Sequence, residues 1–251
     1  MKSSVKIAVL PLGATEQHGP HLPKETDTLI VNGVVERLKV SLPATLDVEF
    51  LPTETVGYSI EHTSFDGTIS ASYDDLIKRW VAIAERCQND GFDRFVFLNA
   101  HGGNSPLTTI CCHEIRARLG MIAVATSWPR FIKGAGIVDP DRERFDIHGG
   151  EIETSVMLAL HPGKVKMEEV KDFASLQMAL EKKHTHLRAY GPHAFGWMAE
   201  DLNPQGVVGN AAAATPQRGE ALLQLATSGL AELLAEIAVF NLPDPQSNSR
   251  T

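Results

Sequence analysis

Cysteine is scarce: Cys87, Cys111 and Cys112 are the only three in 251 residues. Two of them are adjacent, so no disulfide framework and no paired-thiol zinc site can be drawn, and a reducing cytoplasm is the expected compartment. Positive charge is also short, with 23 basic against 31 acidic residues and a net charge of −8. That balance excludes a nucleic-acid partner, which would require clustered cations to displace counterions. No apolar run approaches the ~18 residues needed to span a bilayer. The closing apolar stretch is interrupted by Glu232 and Glu236, so no membrane partner is expected. The start, Met1-Lys2-Ser3-Ser4-Val5-Lys6, lacks the long apolar core of a signal peptide. Repeats, low-complexity tracts and long linkers are missing too. What remains is ordinary globular composition, 43% apolar and 22% charged. The reading is one domain over 1–251, with a frayed end at 244–251.

Short β-branched runs alternate with amphipathic stretches. Strands are predicted at 5–12, 48–56, 92–100 and 121–127, and helices at 28–42, from Ser72 or Asp74 to Gly91, from Pro106 to Gly120, at 151–160 and at 216–240. Residues 164–209 give no clear pattern. Strand–helix alternation of this kind predicts an α/β fold, a three-layer α/β/α sandwich on a mostly parallel sheet. In such folds ligands bind beyond the carboxyl ends of the strands, and the unusual polar residues fall there.

The first cluster is Gly13-Ala14-Thr15-Glu16-Gln17-His18-Gly19, closing with Asp27. Glu16 and His18 are two apart and project to one side of an extended backbone. Carboxylate, imidazole and a second carboxylate make a divalent-metal donor set, although surface-loop and turn-capping roles account for the same residues. The second cluster, Asn99-Ala100-His101-Gly102-Gly103-Asn104, follows an apolar strand and aims His101 into the crevice. It lacks the spaced glycines and lysine of a phosphate-binding loop. The third, His148-Gly149-Gly150-Glu151-Ile152-Glu153-Thr154-Ser155, opens a helix. Its three-residue spacing predicts that His148 and Glu151 share a face, with Glu153 turned away as support. An acidic first turn favoured by the helix dipole is the structural alternative. Thr154-Ser155 has no nucleophile-elbow setting, so a serine mechanism is not expected. His184, His186 and His193 read as solvated, and Trp197 as a packing residue.

These segments, with Gly57-Tyr58-Ser59-Ile60-Glu61-His62 and Gly67-Thr68, resemble the creatininase family. Gly206-Val207-Val208-Gly209 with Ala214-Thr215 and Gly219 fits its carboxy-terminal pattern, so the resemblance runs from about residue 7 to 225. It implies an α/β/α fold, a two-metal hydrolase site and a homohexamer. Carried over, Glu16, Asp27 and His101 would hold one metal, and His18 with bridging Asp27 the other. His148 matches the family's catalytic histidine, and Trp128 the place of an aromatic lid. His62, Gly102, Gly103, Asn104 and Trp128 become the expected substrate-binding residues. In creatininase itself the histidine turn carries Tyr and Glu where this chain has Gly102 and Gly103, and the residue before the catalytic histidine is acidic where this chain has Ile147. These departures imply the broader branch of the family and a substrate other than creatinine.

Glu151 is the expected replacement for the acid missing at Gly103, acting as metal ligand and catalytic group. The cofactors implied are two divalent ions, zinc first, with manganese, iron or magnesium as alternatives. The expected reaction is cleavage of a C–N amide-type bond in a small cyclic amide or formamide by a hydroxide held between the metals, with His148 protonating the leaving nitrogen. A peptide-processing peptidase and a lactone or cyclic-ketone hydrolase are alternatives on the same site. A metal-dependent binding protein without turnover is the reading from another class, and the non-ligating His148 speaks against it.

Overall fold

The structure, a computed structural model, describes residues 5–242. The frayed end expected at 244–251 lies outside the described residues. Four strands, β1 (Lys6–Leu12), β2 (Asp47–Phe50), β3 (Arg94–Asn99) and β4 (Ile122–Ser127), form one parallel sheet in the order β2-β1-β3-β4. Ile7 pairs with Arg94 and Leu12 with Asn99, while Arg94 and Asn99 pair with Ile122 and Ser127 on the other side. β1 and β3 are covered on both faces, which is why they read as unbroken apolar runs. β2 stops before the predicted boundary at 56. Pro52 has no N–H for the ladder, and only Leu51 and Glu54 still donate to Val9 and Pro11 carbonyls (2.9 and 3.0 Å).

The main helices are α1 (Thr26–Ser41), α2 (Tyr73–Asn89) and α3 (Ser105–Leu119). They are followed by α4 (Pro140–Glu143), α5 (Glu151–Leu160), α6 (Leu176–Lys183), α7 (Ala199–Leu202) and α8 (Pro216–Val239). Ser72 caps α2 by accepting from the Asp75 N–H, and Gly120, at φ +67°, closes α3. Alternate residues of the sheet feed two cores. Ile7, Val9, Val96 and Leu98 pack with α1, α5 and α8 through Ile30, Val34, Met157, Leu222 and Leu230. Ala8, Leu10, Phe95 and Phe97 pack with α2 and α3 through Leu76, Trp80, Cys111 and Ile115. Each fully buried Leu or Phe contributes roughly 1.5–3 kcal/mol. The result is the three-layer α/β/α arrangement. α8 is long and apolar enough to cross a membrane by length and composition, but Leu222, Leu223, Ala226, Leu230 and Leu234 bury one face of it in the first core.

Trp128 departs from expectation. It directly follows β4, but its side chain is fully buried in the first core, with residues of α1, α5 and α8, so it presents no open lid surface. The stretch 164–209 is built of short pieces that pair with distant residues. β5 (Asp172–Phe173) meets β6 (Gly209–Asn210), and Val208 exchanges backbone hydrogen bonds with His148 (2.8 and 3.2 Å).

Candidate active site

The loop leaving β1 passes close against α1 at Gly13, where any Cβ would lie 2.4 Å from the Thr28 hydroxyl. It then closes on itself through the Glu16 N–H and Lys24 carbonyl (3.0 Å), which brings Asp27, in the first turn of α1, beside His18. One Asp27 oxygen stands 3.4 Å from His18 Nε2 and the other 3.5 Å from His101 Nδ1. Glu16 Oε1 lies 3.1 Å from His101 Nδ1, 3.5 Å from His62 Nε2 and 3.6 Å from His148 Nδ1. Glu153 Oε2 reaches within 3.8 Å of His18 Nε2. Three overlapping donor groups result: Glu16 with Asp27 and His101, Glu16 with His18 and His148, and His18 with Asp27 and Glu153.

Backbone carbonyls orient the rings. His18 Nδ1–H donates to the Glu16 carbonyl (3.1 Å), His101 Nε2–H to Tyr58 (2.7 Å) and His148 Nε2–H to Gln17 (2.7 Å). Each donation leaves the other ring nitrogen turned toward carboxylates, a placement that calls for a proton or a cation in between. His62 differs. The Gln17 amide accepts from the Gly19 N–H and donates to the Gly206 carbonyl and His62 Nδ1 (2.9 Å), so His62 Nε2 carries the proton and faces Glu16.

Without a metal, protons fill the gaps. Burial works against charge on His18 and His101, but Asp27 at the first and Glu16 at the second override it and raise both to about 10. Burial would raise Glu16, yet His101, His62 and His148 hold it well below the usual carboxylate range. Burial lifts Glu153 to about 7 and lowers His62 to about 4. His148, stacked at 4.2 Å between the rings of His18 and His62, is kept neutral by burial and by those two neighbours. The buried Glu16 Oε1 and Oε2, His18 Nε2 and Asp27 Oδ2 have no well-aligned hydrogen-bond partner. Hard oxygen and imidazole donors left in that condition fit divalent cations.

Glu16, His18, Asp27, His101, His148 and His62 therefore converge. Glu151 does not. Gly149 turns the chain at φ +64° and Gly150 is extended, so α5 begins only at Glu151 and the three-residue spacing from His148 carries no helical phase. Glu151 is fully buried between Arg142 Nε (2.7 Å) and Arg218 Nη1 (3.0 Å), and the acid turned to the site is Glu153. Asn104 spends its amide on the Gly13 and Asn99 oxygens and on the Tyr58 N–H, leaving nothing for a substrate. Gly102 is exposed, with open space where its Cβ would be, while Gly103 lies against Tyr58 and His101. Two organising residues went unread: Gln17, and half-buried Asp146, which accepts from the Glu151 N–H at the head of α5. The Gly-Gly break before Glu151 was the available signal for counting helical phase from 151 onward.

Fold and site together define a metal-dependent hydrolase on a three-layer parallel-sheet scaffold. The chain belongs to the creatininase family: the family model described as creatinine amidohydrolase matches residues 1–234. It is 29% identical over 238 residues to the mycofactocin precursor peptide peptidase of Mycolicibacterium smegmatis, covering 92% of this chain and 85% of that protein. It is 26% identical over 248 residues to the creatinine amidohydrolase of Pseudomonas putida, covering 92% and 89%. A solved structure described as "Creatininase Mn" superposes with a TM-score of 0.72 at 25% identity, covering 94% of this chain and 92% of that one.

Proposed function

We propose that this protein is a two-metal amidohydrolase cleaving a C–N amide-type bond in a small molecule. The observation that carries the reading is the set of four buried atoms on Glu16, His18 and Asp27 that crowd together without a well-aligned hydrogen bond. Glu16, His101 and one Asp27 oxygen would hold one ion; His18, Glu153 and the other Asp27 oxygen would hold its neighbour. Bound there, divalent cations supply charge stabilisation to an amide oxygen and acidify water near neutral pH. The chain supplies the proton traffic. His148 rests neutral with Nδ1 turned toward Glu16, so it would accept there the proton that the attacking water gives up and pass it to the leaving nitrogen. His62 presents an N–H beside Glu16, suited to orienting a polar group. Relatives named as an amidohydrolase and a peptidase both carry names that imply amide-bond cleavage, which supports the bond type.

The test is elemental analysis joined to a hydrolysis screen of cyclic amides, formamides, short peptides and lactones, with creatinine expected to be a poor substrate. Asp27→Asn should lose both metal and turnover. His148→Gln should keep its metal while kcat falls about 10²–10⁴-fold. Full metal and normal turnover in Asp27→Asn would overturn the two-metal reading, and turnover of lactones alone would replace the amide bond with an ester.

A further inference from the structure

Gln17 lies between two candidate ligands, Glu16 and His18, yet offers no atom to any of the three donor groups. It is buried, at 5% exposure, and spends its whole side chain on hydrogen bonds. Oε1 accepts from the Gly19 N–H (2.8 Å), while Nε2 donates to the Gly206 carbonyl (2.7 Å) and to His62 Nδ1 (2.9 Å). The two backbone partners fix which end of the amide is which, since an N–H only donates and a carbonyl only accepts. Gly206, at φ +71°, sits so close that an added Cβ would stand 2.3 Å from Gln17 Nε2. The amide therefore cannot turn over, and its remaining N–H goes to a lone pair on His62 Nδ1.

His62 thereby receives the opposite sign from the other rings. His18, His101 and His148 each give one N–H to a backbone carbonyl. Their second nitrogens are kept for Asp27 (3.4 Å, His18) and Glu16 (3.1 Å, His101; 3.6 Å, His148), where a cation can replace a proton. His62 Nε2, 3.5 Å from Glu16 Oε1, already bears the one proton of a neutral ring. To bind an ion there, His62 would have to move that proton to Nδ1, head-on to the Gln17 N–H. Two buried donors facing each other leave both unsatisfied, which disfavours that tautomer about 10–100-fold. The backbone of Gln17 acts on the neighbouring ring as well: its carbonyl takes the Nε2–H of His148 (2.7 Å), which stacks on His62 at 4.2 Å.

We infer that Gln17 is a positioning residue acting through His62: its amide holds His62 as the Nε2–H tautomer, so that His62 stays out of the ligand set of the candidate ions and presents an N–H to Glu16. This rests on the two-metal reading and divides the work among the four gathered histidines. The turn ending at Gly206 belongs to the device although it is 189 residues away, because its carbonyl sets the sense of the amide.

The test is two-bond proton–nitrogen correlation spectroscopy of the zinc-loaded protein, which tells protonated, unprotonated and metal-bound ring nitrogens apart. The His62 signals are identified by their loss in His62→Gln, and bound zinc is counted by elemental analysis. In wild type, His62 should carry its proton on Nε2 in at least about 10-fold excess and bind no zinc. In Gln17→Met nothing donates to Nδ1, so the ring should populate both tautomers or take zinc. Gly206→Ala should do the same by displacing the amide from a turn that supplies no candidate ligand. Zinc on His62 or a proton on Nδ1 in wild type overturns the proposal, as does an unchanged His62 pattern in both variants. The wild-type spectrum decides alone if neither variant folds. Zinc bound with His62 among its ligands would leave the two-metal reading standing, whereas the expected tautomer in a protein that takes up no zinc would remove that reading and keep the hold of Gln17 on His62.

Discussion

Glu151 and Glu153 stand two residues apart on one helix and meet opposite surroundings. Glu153 faces His18 and lends Oε2 to the Gly149 N–H (2.6 Å), whereas Glu151 ties α4 and α8 to the head of α5 through Arg142 and Arg218. Arg218 also donates to the Ile137 and Ala213 carbonyls, so the Glu151 carboxylate secures three segments at once. Glu151→Gln should therefore cost about 2 kcal/mol of stability, since both guanidinium groups remain partly solvated and regain water. Its metal content should match wild type. Denaturant unfolding and elemental analysis check the pair, and a folded Glu151→Gln protein short of metal would return Glu151 to the site.

The placement of Glu153 depends on how α5 and α8 pack. Gly219 presses directly on the Ser155 carbonyl, where an added Cβ would lie at 1.9 Å, and the Thr215 N–H donates to the Ser155 hydroxyl oxygen (3.1 Å). Ser155 is one half-turn from Glu153 on the same helix. Gly219→Ala should force the two helices apart at about 1–3 kcal/mol, outweighing the gain in helix propensity. Thermal unfolding should shift down by several degrees, and metal titration should show weaker uptake at the ion served by Glu153. Gly163→Ala, whose Cβ would enter open space, is the control and should leave both unchanged. Unaltered melting of Gly219→Ala would show that the contact yields without cost.

Over the whole molecule, acid should act through His21 as well as through the site. His21 is fully buried, donates Nε2–H to the Gly149 carbonyl (2.9 Å) and stacks on Phe173. Burial, helped by His18, lowers its pKa to about 4 from 6.5. Between those values the unfolded chain takes a proton that the folded chain refuses. Stability is then complete above about pH 6.5 and falls as pH drops toward 4, by at most about 3 kcal/mol. In chelator-treated protein, His21→Gln should flatten the slope of melting temperature against pH in that window. An unchanged slope would assign the acid sensitivity elsewhere, with His62 next in line.

Much of this was open to reading in the residues alone. Strand and helix order followed from apolar runs and from Ser72, Pro106 and Gly120, because capping and burial periodicity are local. Glu16, His18 and His101 were legible for a related reason: parallel strands carry the residues just past their ends to one crevice, whereas the roles of Asp27 and His148 were reached through the family resemblance. Other features depended on contacts between segments far apart in sequence. The helical phase that turned Glu153 inward was decided by a left-handed glycine at 149, itself held by His21 and Val207 across the fold. The burial of Trp128 required α1 and α8 to pack into the same core, and the seating of the 57–62 loop on the histidine turn required glycine at 57 against Asn104 and at 103 against Tyr58. Such choices come from which distant surfaces have room for one another, and room is a property of the packed chain rather than of any stretch within it.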